Sequence, residues 1–220
     1  MEIHTITTPF VLNTSVNCYL VRTSDGFVLI DTGVTNRRGL IEKELENQGC
    51  QSGKLALIIL THGDFDHSGN ALYLRNKYKS QIIMHKNDSG MVEHGDMLWN
   101  RNKKNLLIRT MFKLFKLRDA DRFQPDVSVD EGYDFSKYGF DAKVLELPGH
   151  SKGSIGILTA GGDLFCGDLL ENTNNPKKNT LVDDSDALDA SVEKLTQFNI
   201  NKVYPGHGQP FPMDQFLKNH

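Results

Sequence analysis

The stretch THGDFDHSGN, residues 61–70, concentrates histidine and aspartate in one short segment. Its metal-capable side chains are those of His62, Asp64, Asp66 and His67. The preceding residues 55–60, LALIIL, form a continuous apolar run of the length expected for a buried strand. Imidazole and carboxylate groups are the usual ligands of borderline divalent metals. The pattern therefore predicts a metal-binding loop at the carboxyl end of a buried strand.

Three further apolar runs also end on metal-capable side chains. KVLELPGH, DLFCGD and KVYPGH end on His150, Asp168 and His207. A single histidine before a helix is more often a cap or a hydrogen-bonded polar residue. That explanation would have to hold independently at every strand end. Loops after strands lie together at one edge of a strand-rich sandwich, so the four runs predict one shared site.

The spacing within the loop predicts two metal positions. His62 and Asp64 alternate, so an extended segment points both side chains the same way. Asp66 and His67 are adjacent and precede a helix, so they diverge towards a second position. Asp168 can bridge the two positions because a carboxylate has two oxygens.

Composition limits the class of protein. The 220 residues are 38% hydrophobic and 24% charged, which is typical of a globular chain and is interpreted as a single domain, 1–220. A net charge of −3 favours no nucleic-acid partner. The chain start lacks a secretion signal, and no run approaches the roughly 20 apolar residues of a transmembrane helix. We therefore expect a cytoplasmic protein in which Cys18, Cys50 and Cys166 are free thiols.

Short strands alternate with helical segments over most of the chain. Strands are predicted at 2–7, 16–22, 27–31, 55–60, 81–85, 143–150, 153–158, 163–168 and 202–207. Helices are predicted at 36–48, 68–79 and near 186–198.

A helical insertion is predicted at about 88–135, within the single domain. Its residues 103–118, KKNLLIRTMFKLFKLR, contain no acid and indicate a basic amphipathic helix. Three roles stay open for this helix. It can form a lid or pocket wall, a homodimer contact, or a contact with a membrane surface or an anionic acyl substrate.

These motifs resemble those of the metallo-β-lactamase superfamily. THGDFDHSGN is similar to its His-x-His-x-Asp-His signature, and the other motifs occur in family order: LIDTG, LPGHSKGSIG, LFCGDLL and VYPGHG. The resemblance spans about residues 1–210. It implies an α/β fold, a four-layer αβ/βα sandwich, with a two-metal site between the sheets at one edge.

The resemblance also implies roles by position. It assigns the first metal to His62, Asp64 and His150. It assigns the second metal to Asp66, His67 and His207, with Asp168 bridging. Asp31 would orient the loop, and Asp66 would be the catalytic proton shuttle. His85 ends a strand nearby and could line the pocket, although a structural hydrogen-bonding role is the favoured interpretation.

The implied function is hydrolysis by a metal-bound hydroxide. The small-molecule substrate would be an ester, thioester, lactone or related compound. Two alternatives stay open: a di-iron redox protein related to flavodiiron proteins, which needs a separate electron donor, and a non-catalytic metal-binding or sensing protein.

Asp64 departs from the family pattern, in which histidine is usual. The added carboxylate makes the first position more anionic and favours iron or manganese more than imidazole does. We expect two divalent ions. Zinc is the main expectation, and Asp64 makes iron or manganese the alternatives. Aspartate is also short, so a weakly bound first ion and an enzyme working with one metal form a further alternative.

Overall fold

The computed structural model describes residues 1–11, 14–101 and 116–218, which form two main β-sheets. The strands of the first sheet are neighbours in chain order: β1 (Glu2–Pro9), β2 (Ser15–Arg22), β3 (Phe27–Ile30), β4 (Leu55–Ile59), β5 (Gln81–His85) and β6 (Val127–Val129). β1 to β3 pair in antiparallel fashion, whereas β3 to β6 are parallel. The carboxyl ends of the parallel strands therefore meet at one edge of the sheet.

The second half of the chain supplies the other sheet and a short ribbon. Its strands are β7 (Ala142–Glu146), β8 (Ile155–Thr159), β9 (Asp163–Gly167), β10 (Leu170–Glu171), β11 (Lys177–Lys178), β12 (Lys202–Pro205) and β13 (Phe211–Pro212). The second sheet has the order β13, β12, β9, β8, β7, and β10 pairs with β11 separately. β9 and β12 are parallel, so the loops after them leave the same edge.

Helices cover the outer faces of both sheets. They are α1 (Arg38–Asn47), α2 (Phe65–Ser68), α3 (Ala71–Tyr78), α4 (Lys86–His94), α5 (Ser185–Lys194) and α6 (Met213–Leu217). The predicted strands and the predicted helices at 36–48 and near 186–198 are confirmed, with boundary shifts of a few residues. No helix in the described ranges is both long enough and apolar enough to cross a membrane.

The predicted helix at 68–79 is wrong in one respect, because the structure divides this region into α2 and α3. Asn70 lies between them, and its side-chain amide donates hydrogen bonds to the carbonyls of Thr32 and Val34, at 2.7 and 2.9 Å. Its backbone N–H also donates to Thr32 Oγ1 at 3.2 Å. These bonds connect the helix break to the loop after β3, a long-range interaction that helical periodicity does not reveal.

Three apolar cores separate four layers, as predicted. Alternation along β3 explains the division: Val28 and Ile30 pack between the sheets, whereas Leu29 packs under the helices of the first sheet. The central core also contains Ile157 and Phe165 of the second sheet. The third core lies between the second sheet and its helices and contains Leu164, Val203, Leu188 and Phe216. The chain is thus a four-layer αβ/βα sandwich.

Other predictions about chain organisation have different outcomes. The three cysteines are free and buried, as expected. The single-domain division and the insertion at about 88–135 stay predictions, although β6 at Val127–Val129 pairs with β5 in the first sheet. Residues 103–115 of the predicted basic helix lie outside the described residues. Its described end at 116–118 is not helical, because Lys116 forms an isolated β-bridge with Asp96.

Candidate metal centre

The first group of predicted ligands converges at the sheet edge, where the loop after β4 faces the loop after β7. Asp64 Oδ2 lies 3.6 Å from His62 Nε2 and 3.0 Å from His150 Nε2. All three side chains are buried, and their ligand atoms lie within 4.8 Å of one another. The structure therefore brings together the residues predicted for the first metal position.

The second group surrounds Asp66, whose Oδ2 lies 3.6 Å from His207 Nε2 and 3.8 Å from His67 Nε2. Asp168 Oδ1 lies 3.3 Å from His67 Nε2, and Asp168 Oδ2 lies 3.3 Å from His207 Nε2. Asp168 Oδ2 is also 3.9 Å from His150 Nε2 of the first group. Asp168 thus lies between the two groups, where a bridging carboxylate is expected.

Two of the histidines are oriented by backbone carbonyls. His150 Nδ1 donates to the carbonyl of Leu181 at 2.5 Å, and His207 Nδ1 donates to that of Ser15 at 2.7 Å. Because a carbonyl only accepts hydrogen bonds, the proton of each neutral ring is on Nδ1. The Nε2 lone pair of each ring then points into the cluster, as a metal ligand requires.

The other two histidines are oriented by side chains. His67 Nδ1 lies 2.9 Å from Asp31 Oδ2, and His62 Nδ1 lies 3.0 Å from Thr61 Oγ1. Their Nε2 atoms, together with Asp168 Oδ1, are buried and have no hydrogen-bond partner among the described residues. Buried polar atoms are normally paired. The orientations and the unpaired atoms fit a divalent cation, and metal binding by these residues stays a prediction.

Asp31 lies directly after β3 and contacts the loop, in the position predicted for an orienting residue. Its carboxylate accepts hydrogen bonds from the Thr61 backbone N–H at 2.9 Å and the Thr61 hydroxyl at 2.8 Å, besides contacting His67. Its φ of 58° lies in the left-handed region, which is costly for a non-glycine residue. The three contacts offset this cost and direct the carboxylate towards the ligands.

The carboxylates of the cluster favour positive charge. Burial opposes protonation of His67, but Asp168 and Asp31 raise its pKa well above the ordinary value. Burial also opposes the charge of His207, yet Asp168 raises the pKa of that imidazole to about 9. Burial would raise the pKa of Asp168, but His207 and His67 hold it well below its usual range. In a metal site, the bound ion carries this positive charge.

Arg101 reaches the first group and was not predicted from the sequence. Its Nη2 lies 2.9 Å from Asp64 Oδ2 and 3.2 Å from His150 Nε2, and the residue is 8% exposed. Burial opposes ionisation of Asp64, but Arg101 holds the pKa of this carboxyl well below its usual range, with help from His150 and His62. This guanidinium offsets the additional negative charge of Asp64, the charge that favours iron or manganese at the first position.

Asp88 is a second residue that the sequence did not single out as functional. Its Oδ2 accepts from Gly63 N at 3.1 Å and from the Ser151 hydroxyl at 2.6 Å. Its Oδ1 accepts from Gly153 N at 2.8 Å. This fully buried carboxylate in α4 therefore joins the loop after β4 to the loop that carries His150. The one available signal is an acid placed one helical turn after the strand that ends at His85.

His85 belongs to a different network. Its Nδ1 accepts from the Asn87 N–H at 3.2 Å, and its Nε2 lies 3.2 Å from Glu146 Oε1 and 3.5 Å from Asp130 Oδ1. Lys86 Nζ lies 2.9 Å from the same Asp130 oxygen and supplies a cation there. His85 thus caps α4 and pairs with surface carboxylates, and a pocket-lining role for it stays a prediction.

The model of the metallo-beta-lactamase superfamily matches residues 12–207. The chain belongs to this superfamily. The resemblance of the five motifs is thereby confirmed, as is the prediction that the protein is a hydrolase of this superfamily. The fold implies divalent metal ions, and the two groups of histidine and aspartate are the candidate site for them.

Similar proteins cover most of the chain. The probable metallo-hydrolase MJ0888 of Methanocaldococcus jannaschii is 28% identical over 201 residues, which are 89% of this chain and 88% of that protein. The human acyl-coenzyme A thioesterase MBLAC2 is 25% identical over 92% of this chain and 76% of its own. The crystal structure of TTHA1623 in a di-iron-bound form is 27% identical, with a TM-score of 0.74 and coverage of 98% and 97%.

Proposed function

We propose that this protein hydrolyses a small ester, thioester, lactone or related acyl compound that carries a negatively charged group. The observation that carries the proposal is the convergence of seven ligand-type side chains beside a basic cavity. A divalent ion held by these residues supplies two effects: it makes a bound water more acidic, and it polarises a carbonyl.

Asp66 is the residue proposed to move the proton. It lies in the first turn of α2, and its Oδ2 is 3.6 Å from His207 and 3.8 Å from His67. Its carboxylate can accept a proton from the attacking water and donate it to the leaving group. Asp31 contacts His67 at Nδ1 and leaves Nε2 to the cluster, so we assign it a positioning role.

The cavity beside the cluster supports an anionic substrate. It has a volume of about 530 Å³, and Phe65 and Phe10 are part of its wall. Phe65 lies between two of the predicted ligands in sequence, and the Phe10 ring centroid is 6.5 Å from that of His207. The basic residues lining the cavity are Arg37, Arg38, Lys116 and Arg118.

The charge of this cavity is only partly balanced. Asp121 pairs with Arg38 at 3.0 Å and with Arg118 at 2.6 Å, so one carboxylate serves two guanidinium groups. Arginine binds carboxylate and phosphate well because its planar donors match both geometries. The name of the human relative, an acyl-coenzyme A thioesterase, points in the same direction, because coenzyme A carries phosphate groups.

The test is a substrate panel with purified protein loaded separately with zinc, iron(II) or manganese(II). It contains acyl-coenzyme A thioesters, uncharged thioesters with the same acyl groups, esters, lactones and a phosphodiester. We expect hydrolysis of an acyl compound that chelator abolishes and His67→Ala does not support. Turnover that is unchanged in His67→Ala would contradict the site assignment.

The cavity is tested with Arg37→Ala and Arg118→Ala. We expect KM for an anionic thioester to rise about tenfold, the loss of about 1.4 kcal/mol of binding, while KM for its uncharged analogue stays the same. Lys202→Ala, an exposed lysine outside the cavity, is the matched control. Equal effects on both substrates would exclude charge recognition here.

A second candidate function is redox chemistry at a di-iron site. The similarity to a structure in a di-iron-bound form favours it, although the offset of Asp64 by Arg101 removes the charge argument for iron. Consumption of oxygen or nitric oxide by the iron-loaded protein with a reductant tests this alternative.

The cytoplasmic location, the lack of a nucleic-acid partner and a homodimer stay predictions.

A further inference from the structure

Arg101 bonds to two of the three ligands predicted for the first metal ion. Its Nη2 approaches Asp64 Oδ2 and His150 Nε2 together, at 2.9 and 3.2 Å. The residue is 8% exposed, so water does not replace these contacts easily. The buried guanidinium of Arg101 therefore places a positive charge where members of the family would hold a metal ion.

The contacts use electron pairs on two of the three predicted ligands, while His62 Nε2 and Asp64 Oδ1 have no hydrogen-bond partner among the described residues. Because the carbonyl of Leu181 keeps the proton of neutral His150 on Nδ1, its Nε2 has one lone pair to offer. The Arg101 N–H group points to that lone pair and to the nearer oxygen of Asp64. A metal ion would have to replace both contacts and remain close to a guanidinium that keeps its charge at any ordinary pH.

Asp64 explains why the arginine is stable in this position. A carboxylate forms a charge-assisted hydrogen bond with a guanidinium, whereas the histidine usual in the family would offer one lone pair and no negative charge. We propose that Arg101 takes the place of the first metal ion and that the chain holds a single metal, at the second position. The unusual Asp64 and the buried Arg101 then form an ion pair that replaces one histidine ligand and one metal ion.

The second position has the ligands to hold that metal. Within the described residues, the ion pairs of Asp66 are with His67 and His207, and those of Asp168 are with His67, His207 and His150. At the second position, His67 Nε2 and Asp168 Oδ1 are buried and lack a hydrogen-bond partner among the described residues, as does His62 Nε2 at the first. Metal occupancy at these two positions is independent of the substrate proposed above.

Metal stoichiometry tests the proposal directly. The wild-type protein and Arg101→Met are dialysed against buffered zinc and, in separate experiments, manganese(II), and bound metal is measured by elemental analysis. We expect about one equivalent in the wild type. In Arg101→Met, which removes the charge and keeps much of the side-chain length, a second equivalent should bind at least about tenfold more tightly than in the wild type.

Two further variants locate the single ion, and one is a matched control. His67→Ala should lose the metal of the wild type, whereas His150→Ala should retain it. Arg75→Met removes an arginine that pairs with Asp126 outside the cluster, and its stoichiometry should not change. Circular dichroism checks folding, and Arg101→Gln replaces Arg101→Met if the latter does not fold.

Several outcomes would overturn the proposal. Two tightly bound equivalents in the wild type would mean that Arg101 leaves when a metal arrives. One equivalent in the folded Arg101 variant would mean that the arginine does not exclude the second ion. Loss of the metal in His150→Ala but not in His67→Ala would place the single ion at the first position. None of these results depends on hydrolysis. A failure of this proposal can therefore be distinguished from a failure of the proposed function.

Discussion

Asp31 Oδ2 lies 2.9 Å from His67 Nδ1, and the same carboxylate accepts both hydrogen bonds that Thr61 donates. One side chain at the end of β3 therefore determines the orientation of a ligand and the path of the loop that contains it. The left-handed φ of Asp31 indicates that the fold accepts local backbone strain to make these contacts.

Asp31→Ala should weaken metal binding. Without the carboxylate, the proton position and ring orientation of His67 are no longer held, and we expect affinity to fall about 10–100-fold. Competition with a chromophoric chelator measures the change. Asp25→Ala, at an exposed turn, is the control. An affinity equal to that of the wild type would show that His67 is held by other contacts.

Asp88→Ala should destabilise the folded protein. It leaves the N–H groups of Gly63 and Gly153 and the hydroxyl of Ser151 without the carboxylate that now accepts their hydrogen bonds. Unpaired buried donors are costly, so we expect the free energy of unfolding to fall by about 2–4 kcal/mol. Urea denaturation gives the value, and Asp130→Ala, an exposed acid, should change it little. Similar stabilities of the two variants would contradict this role.

Gly206→Ala should disturb the second metal position. A Cβ at Gly206 would overlap Asp168 Oδ1 and lie 2.6 Å from His67 Cε1, so at least one ligand must move. We expect reduced metal content and a lower Tm. Gly39→Ala is the control, because a Cβ there meets nothing within 4 Å and Gly39 lies in α1. The control should be neutral or stabilising by up to about 1 kcal/mol. Full metal content in Gly206→Ala would refute the expected displacement.

The three thiols should resist modification and make the protein sensitive to alkaline pH. Burial raises the pKa of Cys50 and of Cys166 to about 12, and it raises the pKa of Cys18 well above the ordinary value. The neutral thiol is thus favoured in the folded state. Stability from this source is complete below the unfolded pKa, about 8.5 to 9, and is lost as the pH rises towards 12.

Two measurements check the thiol prediction. At pH 8, a disulfide reagent should react slowly with the folded protein. After denaturation, it should react rapidly with all three cysteines. Denaturation curves between pH 8 and pH 11 should show a decreasing free energy of unfolding, and the slope should be smaller in Cys166→Ala. Rapid reaction of a thiol in the folded protein would contradict the predicted protection.

The strands and the predicted ligands were accessible from the sequence because their signals are local. A buried strand is visible as an apolar run, and a ligand is visible as a polar residue just after that run. His62, two residues after Leu60, is an example. The division of the helix at Asn70 was missed for the opposite reason, since its bonds reach Thr32 and Val34. The network of His85 likewise depends on residues from β7 and the loop after β6.

Arg101 marks the limit of this local information. Thirty-seven positions separate it from Asp64, and no periodic pattern or motif links the two residues. The additional carboxylate of Asp64 was visible and required a compensating cation once buried, but the sequence contains 25 lysines and arginines. Only the packing of the segment before the predicted basic helix selects which of them enters the cluster.

The apolar runs and their polar ends predicted the strands, the edge at which their loops meet and the residues that meet there, and the resemblance of the five motifs to the superfamily implied the four-layer sandwich. Local patterns are sufficient for the strands and the edge because a buried strand needs apolar side chains along its length, and loops after parallel strands leave a sheet at the same edge. The partner of Asp64 was decided in the tertiary structure. A buried charge needs an opposite charge close to it in space, and residues that are close in space can be far apart along the chain.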